Sequence, residues 1–402
     1  MIEFGEALKT VLGNAPLLEV CEVGVVDCAG FVAAEDYISA VQCPPVAVSM
    51  RDGFAVMSSD SKNASKDNPV ELKIAGRSWA GGAAGKLKRG ECIRILTGAQ
   101  VPEGADSIVP DEQCEADEKY VRVNSSVELR RHIQTAGDDF RKNDTLWIKG
   151  ELLTPAAAGL LCAGGLAALR VYRKPEVFVL SVGDELVGPG GVSSETRRFA
   201  SNGVALGSWF SSFGIGSETR IAKDDSGDIC SMIEKALESA DAVVTTGGTG
   251  GSERDFTIDA LDSMGWEMKF RGVRMVPGKG TAFGLLDGRP VFCLSGGPTA
   301  SEIAFLTIAL PGILAMAGRR GRIFPSACAV LESDIRIKHL GWQKFLYGLH
   351  TCDGEGALTA RMLTSRSRMI AMAQASCLIS IPADMHSAKA GSMVDIRMTR
   401  FT

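Results

Sequence analysis

The sequence has little from which to build a metal or disulfide framework. Four histidines in 402 residues, none at zinc-ligand spacing, argue against a structural zinc site. The eleven cysteines are odd in number, scattered, and never form C-x-x-C, which reads as reduced core thiols in a cytoplasmic protein. A formal net charge of −5 supplies no basic footprint, so non-specific nucleic-acid binding is excluded as the main task. The opening Met1-Ile2-Glu3-Phe4-Gly5-Glu6 lacks the basic and apolar regions of a secretory leader. The uncharged stretch 303–318 is interrupted by Pro311 and falls short of the roughly 20 residues a membrane span needs, so it reads as a buried helix and no membrane partner is expected. No internal repeat or low-complexity tract is present. What remains is 45% hydrophobic and 23% charged, the balance of a soluble globular chain, and too long for one core.

From about Pro175 to Gly318 the pattern alternates strand and helix. Val177-Phe178-Val179-Leu180 reads as a strand; Leu206, Trp209, Phe210 and Phe213 then recur at helical spacing, and Ile229, Met232, Ile233, Ala236 and Leu237 repeat it. Further strands are expected at 241–246, 281–286 and 290–294. The run SGGPTASEIAFLTIAL predicts a last helix opened by a capping box, with Thr299 as N-cap and Glu302 at N3. Such alternation gives a doubly wound α/β sheet, whose ligands sit outside the carboxyl ends of the strands. Three of those ends are polar or glycine-rich: SVGDEL (181–186), TTGGTGGSERD (245–255) and LSGGPT (294–299). Residues 46–136 and 323–402 have short β-like runs instead, so β-rich second and C-terminal domains are expected.

The middle stretch is the most informative, because Ala242-Val243-Val244 breaks into four glycines before a helical pattern resumes at Phe256. Strand, glycines and helix together aim free backbone N–H groups at an anion. An ordinary glycine-rich βα turn has the same spacing, the stretch has no G-x-G-x-x-G and no P-loop lysine follows it, so both readings stand. Asp184 and Glu185 follow directly on a strand, where hard oxygen ligands can share Mg²⁺ with substrate phosphates; a surface acidic pair is the alternative. Asp224 and Asp225 suit a helix start, and Asp255 suits N3 of a helix capped by Ser252. RGVRMVPGKG concentrates Arg271, Arg274 and Lys279, which fits either an anion site or a solvated basic loop. Asp52 reads as a turn aspartate, Thr97-Gly98 as a strand-end turn able to face an oxyanion, and Asp138-Asp139 as loop carboxylates.

Six stretches in order resemble the molybdopterin molybdenumtransferases, the family of bacterial MoeA and the gephyrin E domain of animals. They are PPVAVSMRDGFAV (44–56), RILTGAQVPEGADSIV (94–109), TAGDDFRKNDTLWIKG (135–150), PEVFVLSVGDEL (175–186), VPGKGTAFG (276–284) and AGSMVDI (390–396). The resemblance implies a four-domain homodimer: an elongated domain I (1–45 and 137–174), a β-rich domain II (46–136), a molybdopterin-binding α/β domain III (175–322) and a small β-rich domain IV (323–402). The active site is then expected between domain III of one subunit and domain II of the other. It implies Mg²⁺-dependent insertion of molybdate into adenylylated molybdopterin with release of AMP. The molybdopterin adenylyltransferase and apo-molybdoenzymes are the further partners it suggests.

Carried onto this sequence, the resemblance makes Asp52, Thr97, Asp139, Glu185, Asp255 and Lys279 the catalytic candidates, with Asp52, Asp139 and Glu185 facing the metal. Around the pterin and phosphates it implies Ser181, Gly183, Thr246, Gly247, Gly248, Thr249 and Gly250. Arg274, Gly278, Ser295, Gly296 and Pro298 complete that set. The chain departs from the family at Val276, where the K-P-G-K-P loop has its first lysine, and at Val182, Ala200 and Gly297. Arg274 is the candidate to replace the missing cation. TTGGTG followed by R-D-x-T is closer to the related molybdopterin adenylyltransferases, so an adenylyltransferase-like variant and a non-catalytic molybdopterin-binding scaffold are the alternative functions.

Overall fold

The computed structural model describes the chain except for residues 249–254, 337–339, 355, 365–366, 386 and 401–402. The predicted α/β unit is a six-stranded sheet in the order Gly216–Ala222, Glu176–Val182, Ala242–Thr246, Arg289–Leu294, Ala282–Leu286, Glu267–Arg271. The first four strands are parallel, whereas Ala282–Leu286 runs antiparallel to both neighbours. The reversal follows from Asp287 and Gly288, both at positive φ (50° and 76°), which close a two-residue hairpin. The sheet is therefore mixed at one edge rather than parallel throughout.

Alternation along the strands divides the core in two. Val177, Val179, Val244, Phe292 and Leu294 face a cluster that holds Leu206, Phe210, Phe305 and Ile313. Their neighbours Phe178, Leu180, Val243 and Val291 face Ile229, Ile233, Ile258 and Leu261. The helix Phe4–Asn14 joins the first cluster through Ala7 and Val11. A Cβ on Gly312 would come within 2.4 Å of Val11 Cγ1, so the missing side chain lets this helix dock. Residues 4–14 thus pack on the α/β unit, although the sequence groups them with domain I.

Pro298–Met316 is a continuous helix, apolar and long enough to cross a membrane, yet it lies mostly inside the fold. Its start corrects the expected capping box: Gly297 is the N-cap and Pro298 opens the first turn, which puts Thr299 inside the helix. Glu302 instead accepts hydrogen bonds from Trp209 Nε1 (2.8 Å) and Tyr347 Oη (2.6 Å), so it ties the helix to two other elements. Residues Phe305–Ala309 form a π turn, and Pro311, which has no N–H, sits just beyond it.

Val20–Gly24, Ala168–Tyr172 and Val32–Ala33 form one small sheet beside the helix Pro155–Ala163, whose N-cap Thr154 accepts from Ala157 N at 3.1 Å. Residues between 53 and 123 form a separate six-stranded sheet. At the carboxyl end, strands Ser326–Leu331, Gln343–Cys352, Leu358–Met362, Cys377–Ile381 and Met393–Met398 pair round into a closed five-stranded barrel. Closure leaves few free strand edges. Met275–Val276 of the α/β unit adds to this barrel in parallel beside Gln343–Lys344.

Candidate active site

The parallel strands Glu176–Val182, Ala242–Thr246 and Arg289–Leu294 end together, and their following loops form a crest. Thr246 and Ser181 are register partners on adjacent strands, as are Thr246 and Leu294. The turn after Thr246 needs glycine: Gly247 has φ of 96°, and a Cβ there would lie 2.3 Å from the carbonyl oxygen of Val182. Gly248 follows at φ 65°, while Thr257 Oγ1 donates to Gly247 O at 3.3 Å.

Asn202 holds the crest across two loops. Its Nδ2 donates to Thr246 Oγ1 (2.8 Å) and to Gly296 O (2.9 Å), and Thr246 Oγ1 also lies 3.3 Å from Ser301 Oγ. Sequence reasoning missed Asn202; the available signal was Ser-Asn at the start of a predicted helix that follows a polar strand end. Gly183 and Glu185 are adjacent at the crest, the Glu185 carboxylate lying where a Cβ on Gly183 would stand. Asp184 and Asp224 exchange backbone N–H bonds with each other's carboxylates at 3.3 and 3.2 Å. Asp225 caps the helix Ser226–Ala236 by accepting from Asp228 N.

Several expected residues stand elsewhere. Ser181 is buried with its hydroxyl unpartnered, facing Gly203 rather than the open crest. Asp255 pairs with Arg271 and is itself the N-cap of Phe256–Ser263, so the helix starts later than a Ser252 cap would place it. Thr249, Gly250, Ser252 and Arg254 lie outside the described residues. Gly278 is buried at φ 108°, and the Lys279 ammonium sits 5.8 Å from the Trp342 ring centroid, within cation–π range. Arg274 donates to Glu3 at 2.6 Å, so its charge is matched by the N-terminal segment. Pro298 begins the long helix, after Ser295 and Gly296 at the strand end.

The remaining candidates belong to other units. Asp52 accepts from Thr97 N (2.6 Å) and Thr97 Oγ1 (2.8 Å). The Thr97 N–H, then its hydroxyl, and the charge of Arg94 hold the Asp52 carboxyl below the usual carboxylate range. Beside it Arg94 makes a two-pronged ion pair with Asp111 and stacks 5.0 Å from Phe54, on the wall of a cavity of about 530 Å³ that Arg77 and Trp79 also line. Asp139 has its carboxylate 3.7 Å from Cys43 Sγ; burial, then this carboxylate, pushes the thiol up. Asp138 closes its own turn by accepting from Thr135 N and Oγ1.

Among the described residues no three carboxylate, cysteine or histidine side chains converge on a point, so Asp52, Asp139 and Glu185 do not form one ligand group within the chain. Their domains present them on separate elements, and no hydrogen bond or ion pair among the described residues links Asp52–Thr97 to the crest.

Two family models match in tandem: the MoeA N-terminal region (domains I and II) at residues 2–165, and a probable molybdopterin-binding domain at 178–315. Together the two matches give the chain the make-up of MoeA proteins. A molybdopterin molybdenumtransferase of Staphylococcus aureus (strain COL) is 29% identical over 399 residues, 98% of this chain and 94% of that protein. One from Staphylococcus epidermidis (strain RP62A) is 27% identical over 401 residues, 99% of this chain and 96% of that one. Among solved structures, a molybdopterin biosynthesis MoeA protein of Pyrococcus horikoshii aligns over 100% of both chains at 29% identity with a TM-score of 0.79. The glycine crest falls within the match to the molybdopterin-binding domain, and the Asp52–Thr97 pair within the match to the N-terminal region.

Proposed function

We propose that this chain, a transferase of molybdenum cofactor biosynthesis, inserts molybdate into adenylylated molybdopterin with Mg²⁺ and releases AMP. The observation that carries the reading is the Gly247–Gly248 turn, held by Asn202 and Thr257 at the carboxyl end of the sheet. Side-chain-free backbone there suits close approach by a phosphate. Domain II contributes Asp52, ionised and oriented by Thr97. Within one chain these two groups are unconnected, which favours a homodimer in which domain II of one copy faces the crest of another.

The metal fits this donor set only with help from substrate. Glu185, Asp184 and Asp224 offer hard oxygen at the strand ends, the type Mg²⁺ takes, and substrate phosphate oxygens would complete the shell. When bound, Mg²⁺ supplies charge neutralisation on the phosphoryl oxygens. The chain's own part is to position: Lys279 offers a point charge, Asp52 keeps its negative charge, and the crest excludes side chains from the phosphate path. No covalent nucleophile is needed.

Purified protein given adenylylated molybdopterin, Mg²⁺ and molybdate should release AMP, and Lys279→Ala should slow that release at least tenfold. Absence of AMP release from the parent rejects the proposal. The adenylyltransferase alternative draws on Thr245-Thr246-Gly247-Gly248 and predicts AMP transfer from ATP to molybdopterin in the same preparation. The scaffold alternative draws on Val276, whose backbone is occupied in pairing with the barrel, and predicts tight pterin binding without turnover.

A further inference from the structure

Arg319, Arg320, Arg322 and Arg397 all line one cavity of about 560 Å³, enclosed by the N-terminal helix, the long helix and the barrel. It shares no residue with the crest. Among the described residues none of the four forms an ion pair with a carboxylate. Among the described residues Asp395 is the one carboxylate on the cavity wall, so four cations line it with a single anion. The protein contacts they do make leave the charge in place. Arg319 donates to Ile323 O (3.2 Å) beside the Phe213 ring, Arg322 donates to Ser326 Oγ, and Arg397 lies 5.1 Å from the Phe345 centroid. Burial lowers the guanidinium groups of Arg319 and Arg397 from their ordinary range; at Arg397 the neighbouring charge of Arg322 adds to this and Asp395 offsets part of it.

Much of the remaining lining is apolar. Leu8 and Leu12 come from the N-terminal helix, Leu306 from the π turn, and Phe324 from the link to the barrel. The π turn widens the helix at this point, and such turns are frequent at functional sites. The volume lies in the range of small-ligand pockets, which pair apolar walls with a few placed polar groups.

We propose that this cavity binds a small organic anion: a phosphate or equivalent dianion held by the arginines, carried on an apolar body that lies against Leu8, Leu12 and Phe324. Guanidinium groups in number suit a dianion because each can present paired N–H donors to its oxygens. The apolar wall selects against a bare inorganic ion.

Calorimetric titration of the full-length protein with hexyl phosphate and with inorganic phosphate tests the assignment. Hexyl phosphate should bind once per chain, about tenfold or more tighter than inorganic phosphate because its methylenes leave water, and more weakly as salt rises. Arg320 and Arg322 are exposed, so Arg320→Gln/Arg322→Gln should keep the parent's melting curve yet weaken binding about tenfold or more. Lys279→Ala, which removes the point charge assigned to the proposed phosphate site, should leave this titration unchanged. Failure of hexyl phosphate to bind would overturn the proposal. So would binding that survives the double substitution undiminished, or that only Lys279→Ala removes.

Discussion

Gly247→Ala should unfold the α/β unit far more easily than Gly296→Ala, although the two glycines face one another across the crest. At Gly247 an alanine meets two penalties. Its φ of 96° is one that L residues adopt at a cost of roughly 1–2 kcal/mol. Its Cβ would also stand 2.3 Å from the backbone oxygen of Val182, a group fixed in the central sheet, and relieving such overlap costs roughly 1–3 kcal/mol. Together they give about 2–5 kcal/mol, or roughly 5–15 °C in the melting temperature of a unit this size. At Gly296 the added carbon would lie 3.4 Å from Gly247 Cα, an ordinary contact, so the fold should shift by less than about 1 kcal/mol. Any loss of AMP release in Gly296→Ala then reports on a ligand lying over the crest. Differential scanning calorimetry of both variants decides the matter, and equal melting temperatures would refute the steric reasoning at Gly247.

Three further outcomes are expected. Thr97→Val removes the hydroxyl donor to Asp52 and should raise that carboxyl; a depressed carboxyl adds stability above its ordinary value and loses it as pH falls through the depressed one, so the loss should move to higher pH, as a carboxyl NMR titration would show or deny. Glu302 is pushed up by burial despite its bonds to Trp209 and Tyr347, so its contribution is complete below the ordinary carboxylate value and fades as pH rises through the raised one, by about 1.4 kcal/mol per unit of separation. Glu302→Gln should therefore gain on the parent in melting temperature as pH rises, and a pH-independent difference would count against the assignment. Asp241→Asn breaks the two-pronged pair with Arg173 (2.7 and 2.8 Å); since Arg173 is partly exposed, the cost should be about 2–3 kcal/mol rather than that of a fully buried pair, measured by urea unfolding.

The sequence made the α/β unit legible because both of its signals are local. Alternating apolar residues at 177–182 divide between two faces, and the set from Ile229 to Ala236 repeats at helical spacing, as the two cores require. The long helix was legible for the same reason. Docking was not: nothing within residues 4–14 says that Val11 will meet Gly312, a partner some three hundred positions away. The same holds for Glu302, where Thr-x-x-Glu matched a local capping pattern while its actual donors, Trp209 and Tyr347, are supplied by other elements. At the crest, glycine at 247 was readable as a turn requirement, but Asn202 acts through two distant loops, and only its place at a helix start points to it. Arg274 reads from the sequence as a spare cation because its partner Glu3 lies at the far end of the chain.

The pairing of Met275–Val276 with the barrel strand means that the segment leading to Lys279 is hung from a neighbouring domain on one side. Gln343 reinforces the seam by donating its backbone N–H to Arg274 O at 3.0 Å. The barrel thereby holds one end of the segment on which Lys279 stands, with its ammonium 5.8 Å from the Trp342 ring centroid. Substitutions on the barrel side of this seam, around Gln343, therefore bear on where that ammonium stands while leaving the strands of the central sheet untouched.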